Sequence, residues 1–125
     1  MKYMLLTYLE EKAWLALSPE EQRARMESCG PLIRKLVEQK KLLAGAPLHP
    51  TSTATTVRYR DGKRLLTDGP FAETREQLGG YTILEANNLD EAIAIATGII
   101  GTSTMATIEV RPILENAMVP PVPTS

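Results

Sequence analysis

The chain has 125 residues, 43% of them hydrophobic and 23% charged, which is enough for one compact domain and too little for a second. Fourteen Lys and Arg against fifteen Asp and Glu leave a formal charge of -1, which argues against nucleic-acid binding driven by bulk positive charge. One Cys and one His exclude a disulfide within the chain and a zinc site of the usual Cys and His type.

No stretch approaches the run of apolar residues that a membrane span needs. The opening MKYMLLTYLEEK has no small-residue cleavage site and runs directly into charge, so it does not read as a signal peptide. A single cysteine and no export signal make a reducing, cytoplasmic setting the expectation. No G-x-G-x-x-G, G-x-x-x-x-G-K or G-x-S-x-G occurs, so no cofactor or metal is expected from motif chemistry.

Lys2 to Tyr8 is short, apolar and aromatic, the pattern of a strand buried on both faces. Ser18-Pro19-Glu20-Glu21 is a helix start, with Ser18 as N-cap, Pro19 where its missing N–H costs nothing, and Glu21 closing a capping box. Met26, Leu32, Ile33, Leu36 and Val37 recur at helical spacing, but Gly30-Pro31 interrupts them, which predicts a kink or two segments in series. A second strand begins over Leu42 to Leu48, after which Pro47 and Pro50 bracket His49 and lead to the polar Thr51-Ser52-Thr53.

Asp61-Gly62 between two β-prone runs predicts a hairpin of Thr55 to Arg60 with Lys63 to Asp68. A two-residue loop sets Arg60 opposite Lys63, Arg58 opposite Leu65 and Thr55 opposite Asp68. Asp68 therefore sits at the open end of the hairpin, where His49 and residues 51 to 53 also enter. Asp68-Gly69-Pro70-Phe71 breaks the strand, and Glu73, Thr74 and Arg75 suit either a short helix or a surface turn. Gly79-Gly80 leads into the strand YTILEA, Asn88 and Glu91 form a second capping box ahead of an apolar helix face, and residues 106 to 111 alternate as a last strand. The tail, residues 115 to 125, carries three prolines and no periodicity and is read as unstructured.

This order gives an α+β domain over residues 1 to 114 with a ferredoxin-like βαββαβ plan and an inserted β-hairpin. Two helices cover one face of such a sheet, so a second copy of the chain is expected on the other, giving a homodimer through the sheet face.

Asp68 leads the candidate site residues: a carboxylate beside Gly69-Pro70 suits a general base or ligand acceptor, and equally a turn residue bound to nearby N–H groups. His49 is the chain's one imidazole and pairs with Asp68 if the open end of the hairpin brings them together. Arg58 is placed to clamp an anionic group, or to lie on a solvated strand face. Thr55, Phe71 and Tyr81 complete the candidate ligand-binding set.

Several segments together resemble the DGPF subgroup of the YCII-related family, over about residues 1 to 114. They are MKYMLL at 1 to 6, LSPEE at 17 to 21, RDGK at 60 to 63, TDGPFAETREQLGGY at 67 to 81, LDEAIAIA at 89 to 96 and IEVRP at 108 to 112. The resemblance implies a dimeric α/β-barrel arrangement of ferredoxin-like subunits and no cofactor. It also implies a link to sigma factors, since genes of this kind often lie near sigma-factor genes. Some relatives carry a His and Asp dyad with the His in the helix after the first strand. The corresponding stretch here, near Ser28, Cys29 and Gly30, has no His, so those roles do not carry over.

Two functions remain open on these residues. One is cofactor-independent acid/base chemistry of lyase or isomerase type on a small molecule held near Asp68. The other is a non-catalytic module that senses a ligand or docks a protein partner. A concave site with a titratable group marks the first, and an exposed apolar patch away from any pocket marks the second.

Overall fold

The computed structural model describes residues 1–115; the expectation for the proline-rich tail lies almost entirely outside them. Strand β1 is Lys2–Glu10, followed by helices α1 (Glu11–Leu15), α2 (Pro19–Glu27) and α3 (Gly30–Glu38) and strand β2 (Leu42–Pro47). A single 3-10 turn, Thr51–Thr53, precedes strands β3 (Thr55–Arg60) and β4 (Lys63–Asp68). Strand β5 (Glu76–Glu85), helix α4 (Leu89–Ile100) and strand β6 (Ala106–Pro112) complete the described chain.

The main sheet runs β2-β5-β1-β6, with β3-β4 as a separate two-stranded sheet. All neighbours in the main sheet are antiparallel. Each βαβ crossover therefore skips one strand, and β5 fills the gap between β1 and β2. The architecture is ferredoxin-like with an inserted hairpin, as the order of patterns implies.

Alternation along β1 places Tyr3 and Leu5 on one face and Met4, Leu6 and Tyr8 on the other. Leu5 and Leu84 are fully buried against Leu36 of α3 and Ile95 and Ala96 of α4. Tyr3 packs with Ala86 and Ala92 beside them. Gly98 lets the two helices approach, because a Cβ there would lie 2.8 Å from Leu32 Cδ2. Both helices sit on this face, so Met4, Leu6, Tyr8 and Tyr81 on the other are left half-buried.

The helix starts follow their capping chemistry. Ser18 Oγ accepts from the Glu21 N–H, and the Glu21 carboxylate accepts from the Ser18 N–H. These bonds hold the Glu21 carboxyl below its ordinary value, the Ser18 backbone N–H contributing most. At α4 the box is only half made: Asn88 Oδ1 accepts from the Glu91 N–H, but the Glu91 carboxylate turns to the backbone and side chain of Asn87. The interruption at Gly30-Pro31 appears as a true break, with α2 ending at Glu27 and Cys29 at the N-cap of α3.

Two segments differ from the sequence expectation, and a third decides between the two readings open for residues 73 to 75. β1 continues to Glu10 and passes directly into α1, a five-residue helix that no capping side chain announces. β5 starts at the polar Glu76 rather than at Tyr81, because Glu76 and Gln77 pair with Glu10 and Leu9. Glu73 to Arg75 form neither helix nor strand. Gly79 is the extra residue of a bulge between Thr7↔Gly80 and Tyr8↔Leu78; with no Cβ it leaves room for Leu9, whose Cδ1 would be 2.7 Å away.

Replacing Leu84, which is fully buried, by Ala should cost about 2–5 kcal/mol in urea denaturation, whereas Asn88→Ala should cost about 1 kcal/mol through its lost cap. Helix α2 contributes no buried residue, so loss of its capping box should act locally. Because the folded Glu21 carboxyl is shifted down, its support of α2 is present above the unfolded value and fades as pH falls through the folded one. Amide protection factors in residues 19–27, taken relative to the intrinsic rate at each pH, should thus fall at acid pH in the wild type, and Ser18→Ala should lower them at neutral pH and flatten that pH dependence.

Candidate functional site

The hairpin has the register set by its two-residue turn. Asp61 and Gly62 both have positive φ, 51° and 74°, the conformation that a type I′ turn demands. Arg60 then pairs with Lys63, Arg58 with Leu65 and Thr55 with Asp68. At the open end the Gly69 N–H donates to the Ala54 carbonyl, and Thr56 Oγ1 donates to the Gly69 carbonyl. The chain leaving Asp68 is thereby stitched to the chain entering β3.

Those bonds bring Asp68, Gly69 and Pro70 to one wall of a cleft of about 870 Å³, with Thr51 and Ser52 on another. The remaining walls include Glu10, Glu11 and Lys12 at the β1–α1 junction and Glu73 and Arg75 from the segment before β5. Four carboxylates therefore face two cations. Glu11 is occupied in holding the 3-10 turn, accepting from both the backbone N–H and the hydroxyl of Thr51. Glu10 is ion-paired with Arg75. Asp68 and Glu73 have no such partner in the cleft and are its two uncommitted carboxylates.

His49 does not share this cleft. It lines a second one of about 660 Å³, on the helix-bearing side of the sheet; Tyr81 borders that cleft too, although its register opposite Leu6 puts its side chain on the open face. Arg58 is committed elsewhere, donating from Nη2 to the Phe71 carbonyl at 2.8 Å, and neither residue lines a described cleft. Phe71 itself is 76% exposed. Thr55 lies at the base of the hairpin, across from Asp68. The candidate residues thus divide among a polar cleft holding Asp68, a second cleft holding His49 and bordered by Tyr81, and the hairpin and its return.

Sequence reasoning brought residues 51 to 53 to the Asp68 end of the hairpin but missed Glu10, Glu11 and Arg75. The signal available was weak: a paired Glu-Glu at the end of the first strand, which reads as a solvated charge until α1 is known to turn it toward residue 51. Among the described residues, no group of three or more His, Cys, Asp or Glu side chains is arranged to hold a metal ion. No helix among them is long and apolar enough to cross a membrane.

Removing the Glu11 carboxylate should loosen the wall opposite Asp68. Glu11→Ala should lower stability by about 1–3 kcal/mol, the range for charge-assisted hydrogen bonds, and should open residues 48–54 to limited proteolysis. Lys12→Ala, which leaves the Thr51 bonds intact, should do neither.

Comparison with known proteins agrees with this architecture. The family model described as the YCII-related domain matches residues 1–117. An uncharacterized protein of Rhizobium meliloti (strain 1021) is 39% identical over 114 residues, covering 90% of this chain and 92% of that one. The antiparallel βαββαβ sheet, the inserted hairpin and a match over all of the described residues lead to one conclusion: the chain belongs to the YCII-related family.

Proposed function

We propose that the protein is a homodimeric small-molecule-binding protein whose Asp68 cleft takes a small polar ligand carrying a cationic or hydroxyl donor. The observation that carries this reading is the pairing of an uncommitted Asp68 with Thr51 and Ser52 across one cleft, built by the hairpin register and by the Glu11 clamp on Thr51. Four carboxylates against two cations favour a ligand of positive charge. In a cofactor-free lyase or isomerase reaction, Asp68 is the group that would take the proton, without help from His49. The dimer forms through the open sheet face, where Met4, Leu6, Tyr8 and Tyr81 are half-buried and α3 and α4 pack opposite.

A second reading rests on the hairpin. Val57, Tyr59 and Leu66 share one of its faces by alternation and are 63%, 74% and 59% exposed. That patch belongs to none of the described clefts, and it suits a regulatory module that docks a protein, a sigma factor being the partner the family resemblance implies.

The two are separated by thermal-shift measurements against a panel of small amines and amino alcohols. A ligand at about 100 times its Kd stabilises by about 2.7 kcal/mol, a shift of several degrees for a domain of this size. Asp68→Asn should keep the unliganded melting temperature and lose the ligand response. An unchanged response in Asp68→Asn removes the cleft from the function and favours docking. Sedimentation should give about twice the 13.8 kDa chain mass, and Leu6→Glu should return it to one chain.

A further inference from the structure

The cleft that holds His49 has a chemistry opposite to that of the Asp68 cleft. It lies between the sheet and the α1–α2–α3 side of the chain, and no Asp, Glu, Lys or Arg lines it. Its apolar walls are Leu9, Trp14, Met26, Ile33, Leu42 and Leu48. With the Tyr81 side chain on the opposite face by register, its polar side chains are few: the hydroxyls of Thr7 and Thr82, the Gln22 amide and the His49 imidazole.

The space exists because the sheet changes character along its length. At one end Tyr3, Leu5 and Leu84 fill the gap beneath the helices and are at most 3% exposed. At the other end the same face presents Thr7, Gly80, Thr82 and Gly45, which are adjacent by register. The glycines are set by the close approach of β2 and β5, since a Cβ at Gly45 would lie 3.0 Å from the Tyr81 carbonyl oxygen and one at Gly80 3.1 Å from that of Ala46. Above them, α2 places Gln22 and Met26, one turn apart, in the lining but buries no residue of its own. Gln22 Nε2 donates to the Trp14 carbonyl at 2.9 Å, which ties α2 to α1 across the mouth. The cleft opens to solvent beside Met26 and Leu48, and an apolar-walled concavity of about 660 Å³ with a short list of convergent polar groups has the anatomy of a ligand site.

We infer that this cleft binds an uncharged, largely apolar small molecule carrying one or two hydrogen-bonding groups. Burial of its apolar body against Trp14, Met26 and Ile33 supplies the affinity. The threonine hydroxyls, Gln22 and His49 fix its orientation. An ionised ligand is disfavoured because no charged side chain lines the cleft to compensate for its desolvation. The inference does not depend on the Asp68 cleft: its ligand has the opposite polarity and touches a different set of walls.

Trp14 is the chain's one tryptophan and reports directly from the cleft wall. Titration with the neutral fluorophore N-phenyl-1-naphthylamine should show saturable binding of one probe per chain, with quenching of Trp14. Its anionic relative, anilinonaphthalene sulfonate, should bind at least about tenfold more weakly, a difference of about 1.4 kcal/mol. Thr7→Leu and Thr82→Leu fill the floor from two different strands and should each abolish the saturable signal while circular dichroism stays native. Leu48 is 47% exposed, so Leu48→Lys tests the cleft without touching the core: it should weaken the neutral probe and strengthen the sulfonate. Asp68→Asn and Tyr59→Ser should leave neutral-probe binding unchanged. Non-saturating binding, equal affinity for the two probes in the wild type, no response to Leu48→Lys, or loss of binding in Tyr59→Ser would overturn the assignment.

Discussion

Leu5 and Leu84, pressed against Leu36, Ile95 and Ala96, set the terms for the rest of the molecule. They lie toward one end of the two middle strands, so the helices that bury them occupy one face of the sheet and one end of that face. Burial of a few large side chains is worth several kcal/mol, the same order as the whole stability of a small domain. The chain therefore concentrates its core there and leaves three regions free of that duty: the far face of the sheet, the far end of the near face, and the hairpin. The open face, the apolar cleft and the exposed hairpin patch fall in these regions, and the Asp68 cleft forms where the base of the hairpin meets the β1–α1 junction.

The two clefts show how a small domain separates two environments. The polar one is assembled from termini of elements, where backbone groups and short side chains meet: the β1–α1 junction, the 3-10 turn and the return after β4. The apolar one is walled mainly by faces of strands and helices, where side chains alternate or recur at helical spacing, and is closed by Leu48 and His49 after β2. Loops tolerate charge because water reaches them, while sheet and helix faces do not. The polarity difference follows from where in the secondary structure each wall originates.

Much of this was legible in the residues. Asp61-Gly62 specified the turn, and the turn specified that Thr55 meets Asp68, because a two-residue loop admits one register. The Ser18 and Glu21 pair likewise specified the start of α2. What escaped was non-local. EKAWL carries no cap and is too short to show periodicity, so α1 depends on β1 ending above it rather than on its own propensity. The separation of His49 from Asp68 was hidden for the same reason: the bracket of Pro47 and Pro50 restricts the backbone but does not say which way the segment faces. The Glu91 carboxylate chose Asn87 over its expected target, a choice among nearby donors that spacing alone does not resolve.

Residues 47 to 52 have a property that neither cleft shows by itself. Pro47, Leu48 and His49 line the apolar cleft, while Thr51 and Ser52 line the polar one, so six consecutive residues form a partition with a different solvent environment on each side. The partition is anchored by the Leu48 N–H to the Gly79 carbonyl on one side of Pro50 and by Thr51 to Glu11 on the other. Occupancy on either side that moves this strip changes the space on the other. Thermodynamic linkage then requires the two effects on affinity to be equal and mutual. A single short segment pinned at two points thus gives the domain the physical means for its two clefts to communicate without any change in the sheet.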